Sequence, residues 1–192
     1  FLAFTGHKGL LGPPGTGGLL FRDDLDLRPL KEGGTGTASE NPEQPLSFPD
    51  RYESGSPNMC GIAGLNAAVE YIEHVGVSAI HRRKVRQCGW LRESLASVRG
   101  VELYGSSKTE HQVGIVAFNL TGCPAEEMAA RLWQRGKVMV RAGLHCAPYV
   151  HRPRGVLKHG VVRVGLGFAT ADEDLKTFIE VVRIVANDVR GT

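Results

Sequence analysis

Five short stretches hold residue types that can do chemistry. Thr5-Gly6-His7-Lys8-Gly9 sets a lysine between an apolar run and a glycine-rich turn. Where backbone packs close, a lysine amine is desolvated, its pKa falls, and it becomes a nucleophile able to form a Schiff base. A plain surface lysine is the competing reading. Arg141-Ala142-Gly143-Leu144-His145-Cys146-Ala147-Pro148 puts a thiol beside an imidazole and near a guanidinium. That positive setting favours thiolate, the nucleophilic form, against the plainer reading of a buried structural cysteine. Neighbouring side chains on a strand point to opposite faces, so help from His145 requires loop geometry at Cys146. Gly160-Val161-Val162-Arg163-Val164-Gly165 encloses an arginine in an apolar strand. Buried unpaired it is costly, so it calls for an anion, either an internal carboxylate or a substrate carboxylate held bidentately. Gly33-Gly34-Thr35-Gly36-Thr37 offers successive N–H groups and two hydroxyls that can cradle a phosphate. Gly12-Pro13-Pro14-Gly15-Thr16-Gly17-Gly18-Leu19 opens like an ATP-binding loop. It has Gly18 and Leu19 where that loop needs Lys and Ser/Thr, so a tight turn between two strands is the better reading.

The elements that must position these residues fall into two textures. Phe1 to Phe4 and Gly18 to Phe21 read as short strands, followed by a long irregular stretch punctuated by Pro29, Pro42, Pro45, Pro49 and Pro57. From Gly61, the spacing of Ile62, Leu65, Val69 and Ile72 predicts a helix that ends at Gly76. A second helix is expected with Ser78 as its cap and Ile80, Cys88, Leu91 and Leu95 inside. Its basic run, His81 to Arg86, reads as a solvated face. Beyond Gly100 the pattern is α/β. Strands are predicted at Val101–Tyr104, Val113–Asn119, Lys137–Val140 and Val161–Val164. One helix should begin at Pro124, with Glu126 and Glu127 in its first turn. Another should begin with a Thr170/Glu173 capping box and bury Leu175, Phe178, Ile179, Val182 and Val189.

Composition bounds the answer. With 192 residues, 42% of them hydrophobic and 22% charged, the chain suits one globular domain or a little more. A net charge of +3 does not point to nucleic acid or a membrane surface. No apolar run approaches a bilayer span and no signal peptide is evident. The four cysteines, Cys60, Cys88, Cys123 and Cys146, form no C-x-x-C pair. No metal site is expected, and they read as reduced thiols of a cytoplasmic protein, most of them small buried hydrophobes. The start at Phe1, inside an apolar stretch, suggests a piece of something longer.

Taken together and in this order, the motifs resemble the C-terminal half of the class V aminotransferase family, in its cysteine desulfurase branch. Thr5 to Lys8 looks like the pyridoxal phosphate lysine motif. Glu53-Ser54-Gly55-Ser56-Pro57-Asn58 and the helix after it are similar to the family's Glu-x-Gly-Thr-Pro-Asn stretch. Arg141 to Ala147 resembles the segment that carries the sulfur-accepting cysteine, and Arg163 falls where the family has its substrate-carboxylate arginine. The resemblance implies an α/β chain that is the C-terminal part of a pyridoxal phosphate-dependent transferase of the aspartate aminotransferase-like kind (fold type I). Residues 1–75 would be a remnant of the large-domain sheet, and 76–192 a small C-terminal α/β domain.

It also implies roles. Lys8 would hold pyridoxal 5'-phosphate on its amine, with Thr5 and His7 helping to bind the phosphate. Thr35 and Gly36 would reach the phosphate of a neighbouring subunit in a homodimer. Arg163 would clamp the carboxylate of L-cysteine, with Asn58 and His145 also at the substrate. Cys146 would take the sulfur as a persulfide, release alanine and pass the sulfur to an acceptor protein. The family's earlier half supplies a group stacked on the cofactor ring, an aspartate on its pyridine nitrogen and further phosphate donors. None can be assigned here, so the chain alone is expected not to be a competent desulfurase. Another amino-acid substrate, such as selenocysteine or cystine, is the alternative within the family. A non-catalytic interaction module and a thiol acyl-transfer enzyme are the alternatives outside it.

Overall fold

The computed structural model describes residues 1–191, with the backbone alone described at Thr109. The chain divides into two compact units, Phe1–Val77 and the part from Ser78 onward.

In the first unit, β1 (Leu2–Thr5) and β2 (Gly17–Leu20) pair antiparallel, Leu2 opposite Leu20 and Thr5 opposite Gly17. The glycine-rich segment does connect two strands, but as a folded loop over residues 6–16 rather than a tight turn. The Gly6 N–H donates to Thr16 O (2.8 Å), Gly12 to Gly6 O (2.9 Å) and Leu11 to Lys8 O (3.0 Å). A long irregular segment leads to α1 (Met59–Val75). This helix starts two residues before the predicted Gly61, because the Asn58 side chain accepts the Gly61 N–H at 3.0 Å and caps it. The loop lies on α1: a Cβ at Gly64 would come within 2.7 Å of Pro13. Apart from Ile72, the large apolar side chains of this unit stay partly or fully exposed.

The second unit is a four-stranded antiparallel sheet with its three long helices on one face. α2 (Val77–Ala96) follows Gly76 directly, and Ser78 lies inside it rather than capping it. The strands are β3 (Val101–Tyr104), β4 (Ile115–Leu120), β5 (Arg141–Gly143) and β6 (Val161–Gly165), in the order β3-β4-β6-β5. Between them come α3 (Ala125–Gly136) and the single-turn α4 (Pro148–His151); α5 (Asp172–Arg190) ends the unit. Side chains alternate across the sheet. Val116, Phe118, Leu120 and Val162 face the helices and pack with Leu91, Leu95, Met128, Leu132, Phe178 and Val182 in one core.

Three local expectations are corrected. Lys137–Val140 is not a strand. Lys137 takes a left-handed conformation (φ 55°) that ends α3, with its N–H on Trp133 O. Val138 and Val140 pack against the core without a ladder partner, and pairing resumes only at Arg141. The last helix is capped one residue later than expected, where the Asp174 carboxylate accepts the Ala171 N–H at 2.9 Å. Thr170 Oγ1 instead accepts the Gly167 N–H. The basic run on α2 is partly spent inside the unit. Arg83 donates to Thr170 O and Arg86 pairs with Asp172, beside the bond from the buried Gln87 to the same carboxylate.

Gly160 fixes the close approach on which the reactive loop depends. It has φ 63°, and a Cβ there would sit 2.5 Å from the Gly143 backbone. Gly160→Ala is expected to cost about 1–3 kcal/mol, read as a lower urea midpoint. Gly165→Ala, with nothing within 4 Å of the added methyl, is expected to cost clearly less. Equal losses would contradict this packing argument.

Candidate functional site

The reactive stretch leaves the sheet as a turn. His145 and Cys146 both have left-handed backbone (φ 53° and 58°), and the Ala147 N–H donates to Leu144 O at 2.9 Å. Two positive φ values at the centre of such a turn cost about 1–2 kcal/mol per non-glycine residue. The turn supplies the loop geometry required at Cys146, since the two side chains no longer obey strand alternation. α4 then begins with Pro148 at its first position.

The imidazole is held on both sides. His145 Nε2–H donates to Val161 O at 3.0 Å, which fixes the tautomer and leaves Nδ1 as an acceptor. That Nδ1 is buried and has no hydrogen-bond partner among the described residues. His151, buried, donates from Nδ1 to Ala147 O at 2.8 Å, its ring centroid 5.9 Å from that of His145. Burial lowers the pKa of His145 below the ordinary imidazole value; the bond to Val161 O works against that, and Arg163, Arg141 and His151 lower it further.

Arg163 lies on the sheet face away from the helices. In the register, Tyr104 pairs with Ala117, Ala117 with Arg163, and Arg163 with Arg141, so the two guanidinium groups are direct cross-strand neighbours. Like charges so placed repel. Neither has a carboxylate partner among the described residues. Arg163 is half-buried and Arg141 exposed, and Arg141 Nη2 lies 4.0 Å from Cys146 Sγ. The thiol of Cys146 is exposed, as is that of Cys60; Cys88 and Cys123 are buried, and burial pushes their thiols up. Two of the four cysteines, rather than most, are therefore core residues. Beside the turn is a cavity of about 420 Å³ lined by Tyr104, Ala117, His145, Val150, His151 and Val161.

Sequence reasoning missed His151 and the direct pairing of Arg141 with Arg163. A second histidine six residues after His145 was the available signal for the first. The arginine pair was hidden because the strand was expected at 137–140.

The remaining expected site residues lie in the first unit. Thr5 ends β1, and His7 and Lys8 sit on the loop over residues 6–16. All three are exposed, so these residues alone do not supply the desolvation expected at Lys8. Asn58 spends its carbonyl oxygen on the α1 cap and keeps its Nδ2 donors. Thr35 and Gly36 line a cavity of about 320 Å³ formed by residues 32–45. The N–H of Gly33 is taken by Gln44 Oε1, while those of Gly34, Thr35 and Gly36 have no acceptor among the described residues. Thr37 Oγ1 donates to the Asp50 carboxylate (3.2 Å), so Thr35 Oγ1 must donate to Thr37 (3.0 Å). Both hydroxyl hydrogens thus run toward Asp50, and the free backbone N–H groups are the better anion donors.

The depressed His145 pKa gives a signed pH dependence. The folded state binds fewer protons than the unfolded one in mild acid, so stability rises with pH there. The stability tied to neutral His145 is present above the ordinary imidazole pKa of about 6.5 and is lost as pH falls below it. His145→Gln, whose amide can also donate to Val161 O, should flatten the stability profile between pH about 7 and 5. An unchanged slope in denaturation titrations would remove His145 as its cause.

Comparison with known proteins extends these observations. The family model described as Aminotransferase class-V matches residues 1–178. A probable cysteine desulfurase of Methanothermobacter thermautotrophicus is 31% identical over 97% of this chain and 47% of its own length. One of Pyrococcus abyssi is 32% identical over 100% of this chain and 48% of its own length. Among solved structures, the apo cysteine desulfurase of Thermococcus onnurineus NA1 superposes with a TM-score of 0.81 at 29% identity, covering 99% of this chain and 47% of that one. An S-sulfonic acid form of the Escherichia coli cysteine desulfurase CsdA gives 0.83 at 25% identity, covering 97% and 46%. The chain spans about half the length of the curated relatives it matches.

Proposed function

The chain belongs to the class-V aminotransferase family, and from that footing we propose that it is the C-terminal half of a pyridoxal phosphate-dependent enzyme that takes sulfur from L-cysteine. The observation that carries this reading is the exposed Cys146 thiol on a left-handed turn, 4.0 Å from an arginine without an acid partner. A transaminase needs no such thiol, whereas sulfur transfer needs a nucleophile at an accessible, positively charged position.

The residues present fit the cofactor at two points. Lys8 offers an amine with no partner among the described residues, on a loop closed by its own backbone bonds. Residues 34–36 offer three free N–H groups, suited to a phosphate, for which Thr35 and Gly36 are the proposed donors in a neighbouring subunit. When bound, the cofactor supplies the electron sink at the substrate's α-carbon. Thr5 and His7 flank Lys8 as further phosphate partners. Arg163 binds the substrate carboxylate, which answers its missing counter-ion and fixes the orientation of the α-carbon. Asn58 retains Nδ2 donors for the substrate.

Cys146 carries out the transfer. Its thiolate attacks the substrate sulfur, an S–S bond forms, and the carbon–sulfur bond breaks with its electron pair left on carbon. Alanine leaves, and Cys146 keeps a persulfide. Arg141 places a cation 4.0 Å from the sulfur, and neutral His145 presents a bare Nδ1 that can accept a proton. We further propose a homodimer and a separate protein that accepts the sulfur.

Two measurements test this. In the protein that joins this chain to the rest of the family fold, borohydride reduction with pyridoxal phosphate should label Lys8 in preference to the other lysines, and Lys8→Ala should abolish that label. Even labelling of all lysines would contradict the assignment. In the protein that joins this chain to the rest of the family fold, Cys146→Ala should lower alanine release from L-cysteine by about a hundredfold or more while the reducible chromophore persists. Release at the full rate would overturn the sulfur-transfer reading.

A further inference from the structure

One side chain of the single-turn α4 is buried. His151 is 5% exposed, whereas Tyr149 is 81% and Val150 53% exposed. Burying an imidazole is costly unless its polar atoms are bonded, and a leucine would fill such a place without that cost. His151 meets the condition with a specific bond: Nδ1 lies 2.8 Å from Ala147 O. A carbonyl only accepts, so Nδ1 carries the proton.

Ala147 directly follows Cys146, and its backbone is held at three points. Its N–H donates to Leu144 O (2.9 Å), and its carbonyl accepts both the Val150 N–H (3.1 Å) and the His151 imidazole. From His151 the bonds run on to the base of the loop. The His151 carbonyl accepts the Val156 N–H (3.3 Å), and the Val156 carbonyl accepts the Gly160 N–H (2.8 Å). Gly160 is the residue that packs on the Gly143 backbone. On the other side of the thiol, His145 Nε2 donates to Val161 O (3.0 Å). Cys146 thus stands between two tethered neighbours, and its own φ of 58° has to be maintained by them. The tether of His145 reaches the sheet directly, while that of Ala147 passes through His151.

We propose that His151 is a positioning residue for the attack of Cys146 on the substrate sulfur, and that it acts through its Nδ1–H bond to the Ala147 carbonyl. This rests on the persulfide reading of Cys146. In-line attack on a carbon–sulfur bond demands a fixed nucleophile, and a displacement of about 1 Å costs about a hundredfold in rate. Losing the His151 bond does not orphan the Ala147 carbonyl, because the Val150 N–H stays on it. What is lost is the hold on the left-handed turn. Binding of the substrate carboxylate is separate, since the ladders to β4 and β5 fix Arg163 from both sides. His151 therefore bears on the rate of sulfur transfer and not on the affinity for substrate.

The test compares three substitutions in the protein that joins this chain to the rest of the family fold. Asn carries its donor nitrogen on Cγ, as His carries Nδ1, so His151→Asn reproduces the bond. Gln carries its amide one atom further out, and Leu fills the space with no donor. His151→Leu and His151→Gln should each lower kcat for alanine release from L-cysteine about thirtyfold, with KM within about twofold and the reducible chromophore retained. His151→Asn should recover the rate to within about threefold of the unaltered protein. Alkylation by iodoacetamide, read on the peptide that contains Cys146, needs an exposed thiol but no docking geometry. It should stay within about threefold in all three variants. Unchanged kcat in the Leu and Gln variants, or an Asn variant no faster than the Gln one, would overturn the proposal. So would alkylation that falls in step with kcat, which would make His151 an activator of the thiol instead. Mass spectrometry of the unaltered protein after L-cysteine reads the persulfide on Cys146 separately. Its absence there would overturn the desulfurase reading and the proposal with it, whereas a persulfide that forms equally fast in every variant would overturn the proposal alone.

Discussion

The second unit hangs on one close approach, that of Gly160 to Gly143. No side chain fits between them, and the contact is backbone on backbone. It brings β5 against β6, and so sets Arg141 opposite Arg163 and the His145 ring against the carbonyl of Val161. The turn at His145 and Cys146 needs that anchorage, because two non-glycine residues in left-handed backbone persist only when their surroundings over-determine them. The imidazole bond on one side and the Ala147–His151 bond on the other provide that constraint. Strain and anchorage together leave an exposed thiol on a defined backbone.

Electrostatics then follow from topology. A register that pairs arginine with arginine is unfavourable in isolation. It gathers positive charge on this sheet face, with no carboxylate paired to either arginine among the described residues. Burial keeps His145 neutral, and the same cations act in the same direction. An imidazole that is neutral with one nitrogen already bonded offers a single lone pair, which suits a proton acceptor better than a cation would.

The motifs were legible because they are local. A cysteine beside a histidine, a lysine after an apolar run and an arginine in a valine strand can be read without knowing the fold. The resemblance then ordered them. What the sequence hid was pairing. Val138 and Val140 alternate like a strand because they pack on the core, yet the ladder begins only at Arg141. With the strand misplaced, the partner of Arg163 could not be seen. The cap of α5 was misplaced by one residue for a similar reason. Thr170 and Asp174 can each bond a nearby backbone N–H, and only the three-dimensional arrangement assigns Gly167 to one and Ala171 to the other.

The two residues proposed to react, Lys8 and Cys146, also differ in what surrounds them. The setting of Cys146 is built within its own unit, from arginines and imidazoles held by a sheet with a buried core. Lys8 has no comparable shell, because its loop joins two strands whose apolar residues Leu2, Leu19 and Leu20 remain exposed. Burying a leucine side chain is worth about 1.5–3 kcal/mol, so such a hairpin gains stability when another surface covers it. A surface that covers the hairpin would also reduce the water around the neighbouring loop, and desolvation is what turns a lysine amine into a nucleophile. Folding of the first unit and activation of Lys8 would therefore draw on one and the same covering surface, whereas the thiol of Cys146 has its cationic neighbours already in place.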